Sequence, residues 1–381
     1  MPEPLPGAPT ASRIRVFIVD DSAVMRSLLR SVVSTDPALE VAGTASDGLS
    51  ALNALSVARP DLVLLDVEMP VMNGLATLKQ MRERAPRLPI IMCSALTQRC
   101  AHVTIESLAG GASDYVAKPA GQASREAAMQ ALAAELIPKI RALTTRRPVP
   151  FVPFATRALS VFPVSAELAT PGTSVTPAAV VIGASTGGPA ALDVILSALP
   201  ASFPLPILVA QHMPDLFTRQ LAERLNTRCA LRVREADEGM AVRPGNVYIA
   251  RGNWHMKILP ASMPGQPHTL HLDQAPPENH CRPSVDVLFR SAAQVYSASL
   301  LAVMLTGMGH DGLAGTRILH KLGATILAQD ETTSAVWGMP GALVHENLAH
   351  AVLPLRQIAR EIQRLSARHH REAMLLRESA S

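Results

Sequence analysis

The chain has 381 residues, of which 48% are hydrophobic and 3% aromatic, so it is long enough for two domains with aliphatic cores. No apolar run approaches the roughly 18 residues of a membrane span, and the Pro-rich residues 1–12 lack the apolar segment of a signal peptide. We therefore expect a cytoplasmic protein without membrane insertion. The net charge of +4 lies mostly in the C-terminal segment and forms no basic stripe interleaved with aromatics, which argues against nucleic acid binding.

The first third of the chain alternates short apolar segments with amphipathic ones. Helical patterns of ten or more residues separate the predicted strands, which favours right-handed crossovers and a parallel, doubly wound α/β sheet. The predicted strands are 15–19, 39–42, 62–65, 90–93 and 115–117, and the predicted helices include 24–33 and 75–84.

Polar side chains follow these strands. Asp20 and Asp21 come after the first strand, Asp66 after the third, Ser94 after the fourth and Lys118 after the fifth. Three carboxylates converging at one sheet edge would repel one another without a hard cation, and such oxygen ligands suit Mg²⁺. The lysine and the hydroxyl beside them could hold a phosphoryl group.

This arrangement resembles the receiver domain of two-component response regulators over about residues 13–130. The resemblance implies a flavodoxin-like (βα)5 fold, Mg²⁺ as cofactor and a histidine kinase as phosphodonor, with Asp66 as the phosphoacceptor. A pseudo-receiver usually lacks an acidic residue or the lysine, and this chain lacks neither. The implied Mg²⁺ site comprises Asp20, Asp21, Asp66 and the backbone carbonyl of Glu68, and the implied switch residues are Ser94, Tyr115 and Lys118.

A segment rich in Pro, Ala, Thr and Ser separates two folded regions. It shows no sustained periodicity, and its clustered prolines are typical of a semi-rigid linker. We therefore predict a receiver domain over residues 13–135, a linker over 136–176, a catalytic domain over 177–368 and a polar tail over 369–381.

The segment 180–189, VVIGASTGGP, reads as an apolar strand, a Gly-rich turn and the start of a helix. Small residues on both sides allow a sharp bend, so Ser185 could stand exposed as a nucleophile at the positive end of the helix. Taken alone, the turn could equally cradle a phosphate or simply connect a strand to a helix.

Two later strands favour catalysis. One ends in His212, and another is followed by glycines and Asp311. The carboxyl ends of parallel strands share one edge, where Ser185, His212 and Asp311 could form a triad. The order Ser, His, Asp argues against an α/β-hydrolase. Asp286 competes with Asp311, but it opens a helix as a cap would.

The remainder of the second domain predicts helices over 218–225, 285–295 and 316–321. Between them, short strands separated by turns indicate antiparallel hairpins added to a mostly parallel sheet. These short strands are predicted over 231–234, 247–250, 255–259 and 269–272.

Four motifs carry a second resemblance. IGASTGG, QHMP, CRPSVDVLF and LTGMGHDG occur in this order behind the receiver and are similar to the motifs of the chemotaxis protein-glutamate methylesterase/glutaminase family. The resemblance covers residues 13 to about 365 and implies a hydrolase that demethylates glutamyl methyl esters and deamidates glutamines on chemotaxis receptors. It implies no cofactor in the catalytic domain. The residues implied for catalysis are Ser185, His212 and Asp311. The backbone amide of Met308 is implied as a donor to the oxyanion, with Thr186 beside the nucleophile at the same place.

Two other functions remain open from the sequence. A receiver joined to an idle adaptor would bind receptors without hydrolysis, and a different serine hydrolase under the same control would cleave other esters. The four cysteines lie without paired spacing, which predicts reduced thiols that pack in the fold. The cluster His268, His271, His280 and Cys281 matches the spacing of no standard metal site.

Overall fold

A computed structural model describes residues 13–119, 124–145 and 176–378, with side chains up to residue 367. The described chain forms two α/β units, each built on a parallel sheet, and the sequence prediction of two doubly wound domains is confirmed. None of the helices in these ranges is long and apolar enough to cross a bilayer.

The first sheet has five parallel strands in the order β2-β1-β3-β4-β5. Two of its three inner strands, β3 and β4, are buried along their whole length, because helices cover both faces. The elements of this unit are β1 (Ile14–Val19), α1 (Ala23–Ser34), β2 (Leu39–Ala45), α2 (Gly48–Ala58), β3 (Leu62–Asp66), α3 (Gly74–Arg84), β4 (Ile90–Ser94), α4 (Gln98–Ala109), β5 (Asp114–Ala117) and α5 (Arg125–Thr144).

Each of the five helices in this unit begins behind a side chain that accepts a hydrogen bond from a first-turn amide. These N-caps use the short polar residues that favour helix starts, and each contributes about 1 kcal/mol. The capping residues are Ser22, Asp47, Asn73, Thr97 and Ser124.

Helix α5 continues past residue 135, where the sequence analysis placed the end of the receiver domain. Leu136, Ile140 and Leu143 are buried in the apolar cluster that covers one face of the first sheet, so the helix extends to Thr144. The first nine residues of the predicted linker are therefore part of this helix. Residues 146–175 of the predicted linker lie outside the described residues.

The second sheet has seven strands in the order β14-β13-β12-β6-β7-β9-β8, all of them parallel. A separate antiparallel pair, β10 and β11, lies beside it. The elements are β6 (Ala179–Ala184), α6 (Gly188–Ser197), β7 (Ile207–Gln211), α7 (Asp215–Arg228), β8 (Arg232–Glu235), β9 (Asn246–Ile249), β10 (His255–Leu259), β11 (Thr269–Asp273), α8 (Val285–Tyr296), β12 (Leu300–Met304), α9 (Leu313–Lys321), β13 (Thr325–Gln329), α10 (Gly338–His345), β14 (Ala351–Leu353) and α11 (Leu355–Glu378).

One sequence prediction about this unit is wrong. The strands β8 and β9 do not form an antiparallel hairpin, since they pair in parallel and extend the main sheet beyond β7. Among the described strands, β10 and β11 alone form the predicted antiparallel pair. Helix α11 runs on to Glu378, into the segment 369–381 that was predicted as a polar tail.

The two units pack against each other through α4, which lies on α6 and α7. The ring of Tyr115 at β5 is stacked 4.5 Å from the ring of Phe217 on α7, measured between centroids. His102 Nδ1 on α4 lies 3.1 Å from Gln220 Oε1 on α7. The predicted switch tyrosine is therefore buried in the contact between the two units.

Candidate active site and phosphorylation site

The second sheet changes direction of winding at β6. The chain adds β7 on one side of this strand and later returns to place β12 on the other side. In open α/β sheets, ligand sites form beyond the carboxyl ends of the strands at such a switch point. The turns that follow β6, β7 and β12 carry Ser185, His212 and Asp311.

Ser185 follows β6 directly and precedes α6. Gly187 has a φ of 79°, a left-handed conformation that a residue with a side chain rarely adopts, and Pro189 occupies the first turn of the helix. The Ser185 amide donates to Thr306 O at 3.0 Å, and the Ser185 carbonyl accepts from Gln211 Nε2 at 3.0 Å. The backbone of Ser185 is thus hydrogen-bonded to residues at the ends of both neighbouring strands, β12 and β7.

The loop after β12 approaches the serine closely because residue 307 is glycine. A Cβ on Gly307 would lie 2.9 Å from Ser185 Cβ and 2.3 Å from Met339 Sδ, so a larger residue would push the loop away. Met308 is the next residue of this loop. Its amide and the amides of Thr186 and Gly187 donate no hydrogen bond to any described residue, so they are available to an oxyanion.

His212 and Asp311 form a direct pair. His212 Nε2 lies 2.8 Å from Asp311 Oδ2, and the His212 amide donates to Ala184 O at 3.1 Å, next to the serine. Ser185 Oγ itself makes no hydrogen bond to a described residue, including His212. Catalytic hydrogen bonds of this kind often form only when substrate is bound.

Asp311 is held by a dense set of donors. Burial favours its protonated form, but the hydrogen bond from His212 and those from the start of α8 outweigh this, so the pKa of Asp311 lies well below its usual range. Because the first amides of α8 point at the carboxylate, the helix dipole also favours its charge. Besides His212, the donors are Asn279 Nδ2, Ser284 Oγ and the amides of Val285, Asp286 and Gly312.

Asp286, the alternative third member of the triad, has other partners. Its carboxylate accepts from the Gly315 amide at 2.6 Å and from Asn279 Nδ2 at 3.0 Å. Burial and the nearby charge of Asp311 raise its pKa. Asp286 therefore supports the loops around the pair, while Asp311 contacts the imidazole.

The other imidazole nitrogen of His212 contacts a thiol. Cys281 Sγ lies 3.4 Å from His212 Nδ1 and 3.3 Å from the Asn279 carbonyl. Burial lowers the pKa of His212, but the hydrogen bond to Asp311 and the contact with Cys281 more than reverse this, so the pKa rises to about 9. In this state the imidazole is protonated at neutral pH.

The hydroxyl of Thr186 is bonded to a residue of the first unit. Thr186 Oγ1 donates to Asp114 Oδ2 of the first unit at 2.6 Å, in a fully buried hydrogen bond. Lys139 Nζ lies 3.5 Å from the same Asp114 oxygen. The side chain of Thr186 is bonded to the first unit. The backbone amide of Thr186 is therefore the group that remains for the predicted oxyanion role.

The first sheet places a second polar site at its own switch point, between β1 and β3. Lys118 Nζ lies 2.7 Å from Asp66 Oδ1 and 2.8 Å from Asp20 Oδ2. Burial raises the pKa of Asp66 to about 6, although the bond to Lys118 opposes this. The carboxylates of Asp20, Asp21 and Asp66 each offer an oxygen within 4.8 Å of the others.

These carboxylates fit a hard cation. Asp20 Oδ2 is buried and lies at ion-pair distance from Lys118, but no hydrogen-bond donor of the described residues is aligned with it. This oxygen can therefore still coordinate a cation. Three clustered carboxylate oxygens suit Mg²⁺, which binds through carboxylates and completes its shell with water. The side chain of Glu68 turns away to Arg99, with 3.3 Å between Oε1 and Nε, so only its backbone remains beside the cluster.

The predicted switch residues connect this site to the contact between the units. Ser94 Oγ accepts from Thr104 Oγ1 of α4 at 2.8 Å. Helix α4 lies on α6 and α7, and Tyr115 stacks on Phe217, as described above. A change at Asp66 can therefore reach the second unit through β4, α4 and β5.

The three histidines that the sequence analysis grouped with Cys281 do not form one site with it. His271 pairs with Glu238, and His268 packs edge-on against Tyr296, so these two histidines do not join Cys281. His280 is exposed on a neighbouring turn.

Sequence reasoning missed three contacts: Asn279 bridging the two aspartates, Cys281 at the imidazole, and Asp114 on Thr186. The CRPSVDVLF motif contains Cys281 but does not indicate its partner. No signal in the sequence linked Asp114 to Thr186, which are 72 residues apart.

Family models match both units of the chain. Residues 180–362 match the family model of the CheB methylesterase, and residues 16–130 match that of the response regulator receiver domain. A protein-glutamate methylesterase/protein-glutamine glutaminase of Trichodesmium erythraeum is 42% identical over 92% of this chain and 99% of its own length. A relative of the same name from a Nocardioides species is 45% identical over 93% of this chain and 96% of its own.

A solved structure is similar to part of the chain. The crystal structure of the Thermotoga maritima CheB methylesterase catalytic domain is 42% identical, covers 50% of this chain and 100% of its own, and has a TM-score of 0.48. The two family matches divide the chain as the two sheets do, and the full-length relatives match it almost from end to end. The chain belongs to the family of receiver-containing protein-glutamate methylesterases/protein-glutamine glutaminases.

Proposed function

We propose that the protein is a phosphorylation-activated serine hydrolase that removes methyl groups from glutamate side chains and deamidates glutamines on methyl-accepting chemotaxis receptors. The observation that carries the proposal is the His212–Asp311 pair, at 2.8 Å, on the sheet edge that also presents Ser185. The full-length relatives that match nearly the whole chain carry the names of both activities.

Ser185 is the nucleophile in this proposal. Neutral His212 takes the proton from Ser185 Oγ as the oxygen attacks the side-chain carbonyl of a glutamyl methyl ester. Asp311 orients the imidazole and stabilises the charge it gains. His212 then gives the proton to the leaving methoxide, so methanol departs and an acyl-enzyme remains.

Water completes the cycle by the same route in reverse. His212 removes a proton from the attacking water and gives it to Ser185 Oγ as the tetrahedral intermediate collapses, which leaves free Ser185 and a glutamic acid side chain that ionises to the carboxylate. Deamidation of glutamine follows the same steps with ammonia as the leaving group. The amides of Met308 and Thr186 stabilise the oxyanion, and the unused amide of Gly187 supports the same role.

The receiver controls this site through Asp66, which accepts a phosphoryl group from a histidine kinase. Asp20, Asp21, Asp66 and the Glu68 carbonyl would hold Mg²⁺, which supplies positive charge against the phosphoryl oxygens. Lys118, whose Nζ lies 2.7 Å from Asp66 Oδ1, would pair with the phosphoryl group, and the hydroxyl of Ser94 would donate to it.

In the unphosphorylated state the receiver covers the catalytic edge. Met308 and Val336 belong to the same apolar cluster as Leu136 and Ile140 of α5, and Thr186 is bonded to Asp114. A receptor helix bundle is too bulky to reach Ser185 past these contacts. Phosphorylation at Asp66 repacks Ser94 and Tyr115, which weakens the contact and opens the site.

Asp114→Ala is expected to raise the basal hydrolase activity of the unphosphorylated chain by about tenfold. In the closed state the buried Thr186 hydroxyl would lose its acceptor, which costs about 1–3 kcal/mol, whereas in the open state water replaces it. The rate of methanol release without phosphodonor measures this change. The matched control is Asp47→Ala, which removes the cap of α2 inside the receiver. If basal rates of the two variants were equal, the Asp114 contact would not hold the closed state.

The function itself is tested with receptor membranes methylated beforehand by a methyltransferase. Methanol release by the full chain should rise when a small-molecule phosphodonor and Mg²⁺ are added, and Asp66→Asn should not respond. A folded protein that binds these membranes without releasing methanol under any condition would instead be an adaptor. Release of small alcohols from synthetic esters but not from receptors would indicate a different substrate.

A further inference from the structure

The triad histidine has both ring nitrogens engaged in this structure. Nε2 faces Asp311 and Nδ1 faces the sulfur of Cys281 at 3.4 Å. Asp311 accepts from Nε2–H, so the lone pair of the neutral imidazole is on Nδ1. The nitrogen that Ser185 needs as a base is therefore the one that Cys281 occupies.

The local backbone holds the thiol in this position. Cys281 lies between Asn279 and the start of α8, and its backbone pairs with Glu278 in both directions. Sγ is 3.3 Å from the Asn279 carbonyl, which is the acceptor for the thiol hydrogen. The sulfur lone pairs then face Nδ1, where they accept a hydrogen bond from the protonated imidazole. This contact favours the charged form of His212.

Among the described residues, Asp311 and Cys281 are the two whose side chains bond to the imidazole. The other charged groups on the surrounding elements of this part of the chain do not. The remaining groups are Asp215 on α7, Arg251 in the loop after β9, Arg282 beside Cys281, and Asp286, which reaches Asp311 through Asn279.

We propose that Cys281 is a positioning residue that holds His212 through Nδ1 in the resting site and must release this nitrogen before Ser185 is activated. The inference rests on the proposed function, in which His212 is the base. The thiol then controls the pH at which the hydrolase works. When the thiol is lost, Nδ1 of His212 has no partner, and the imidazolium loses its proton more easily.

The test compares the wild type with Cys281→Ser and Cys281→Ala as full chains with phosphodonor and Mg²⁺. Serine keeps a polar side chain of similar shape, but its shorter C–O bond places the oxygen beyond the 2.7–3.2 Å range of a hydrogen bond to Nδ1. In both variants the rising limb of kcat/KM against pH should move to lower pH by about one unit, because a partner of the charged imidazole is lost. At pH 7 this corresponds to up to about a tenfold gain.

A second measurement does not depend on the substrate. The imidazole of His212 is titrated by NMR in the full chain, with the signal assigned by its absence in His212→Gln, and its pKa should fall in both Cys281 variants. The control is Cys229→Ser, which removes the other partly exposed thiol, at the end of α7, and should leave the profile unchanged.

Two results would overturn the inference: coincident pH profiles and titration curves for all chains, or activity lost at every pH in folded Cys281 variants. Absence of methanol release by the wild type would count against the proposed function alone, since the NMR titration still reports on the thiol.

Discussion

Ser185→Ala should lower the phosphodonor-stimulated rate of methanol release by about 10⁴ to 10⁶, because loss of the nucleophile leaves only the oxyanion donors and substrate binding. The fold should persist, since the serine backbone makes the bonds to Thr306 and Gln211 and its Oγ bonds to no described residue. The measurement is initial methanol release, with thermal unfolding to establish that the variant is folded.

The matched control for this variant is Ser197→Ala. Ser197 is at the far end of α6, the helix that begins after the turn of Ser185, and its hydroxyl contacts Asp193 and Cys229. Its removal should leave the rate within a factor of two or so, as surface substitutions usually do. A Ser185→Ala protein that kept more than about one hundredth of the activity would exclude Ser185 as nucleophile.

Asp311→Asn should lower kcat by about 10⁴, which is the loss expected when the carboxylate of a triad becomes an amide. The pKa of Asp311 lies far below neutrality, so the wild-type group is charged throughout the working range. An amide removes this charge and turns an NH₂ group toward donors such as the Val285 amide and His212 Nε2. The imidazolium then loses its stabilising partner.

Asp286→Asn separates this effect from general damage to the loops. Asp286 is equally buried and is bonded to Asn279 and Gly315, but it does not contact the imidazole. We expect a much smaller fall in kcat for this variant, with comparable loss of thermal stability. Equal losses of kcat in the two variants would mean that Asp311 acts through structure and not through His212.

Local patterns in the chain predicted most of the architecture. Strand and helix positions in the first unit followed from apolar periodicity, and the structure confirms the two parallel sheets. The errors arose where sheet partners are distant in sequence. Strands β8 and β9 looked like a hairpin because turns follow them, yet the connection between them crosses over so that they pair in parallel.

Side-chain partners across the fold were harder to predict. Asp311 was preferred over Asp286 because it follows a strand end, and the structure places it at the imidazole. Its support by Asn279 and by the first amides of α8 depends on how that helix packs on the sheet, which no local pattern encodes.

The sequence by itself determined the chemistry available at each strand end, because strand ends of a parallel sheet meet at one edge whatever the loops between them do. It thereby indicated Ser185, His212 and Asp66 as the groups around which the two sites are built. Only the tertiary structure decided how these sites are held at rest. Cys281 on His212 and Asp114 on Thr186 are contacts between segments far apart in the chain, and they arise from packing of whole elements, which is set by the summed burial of many side chains.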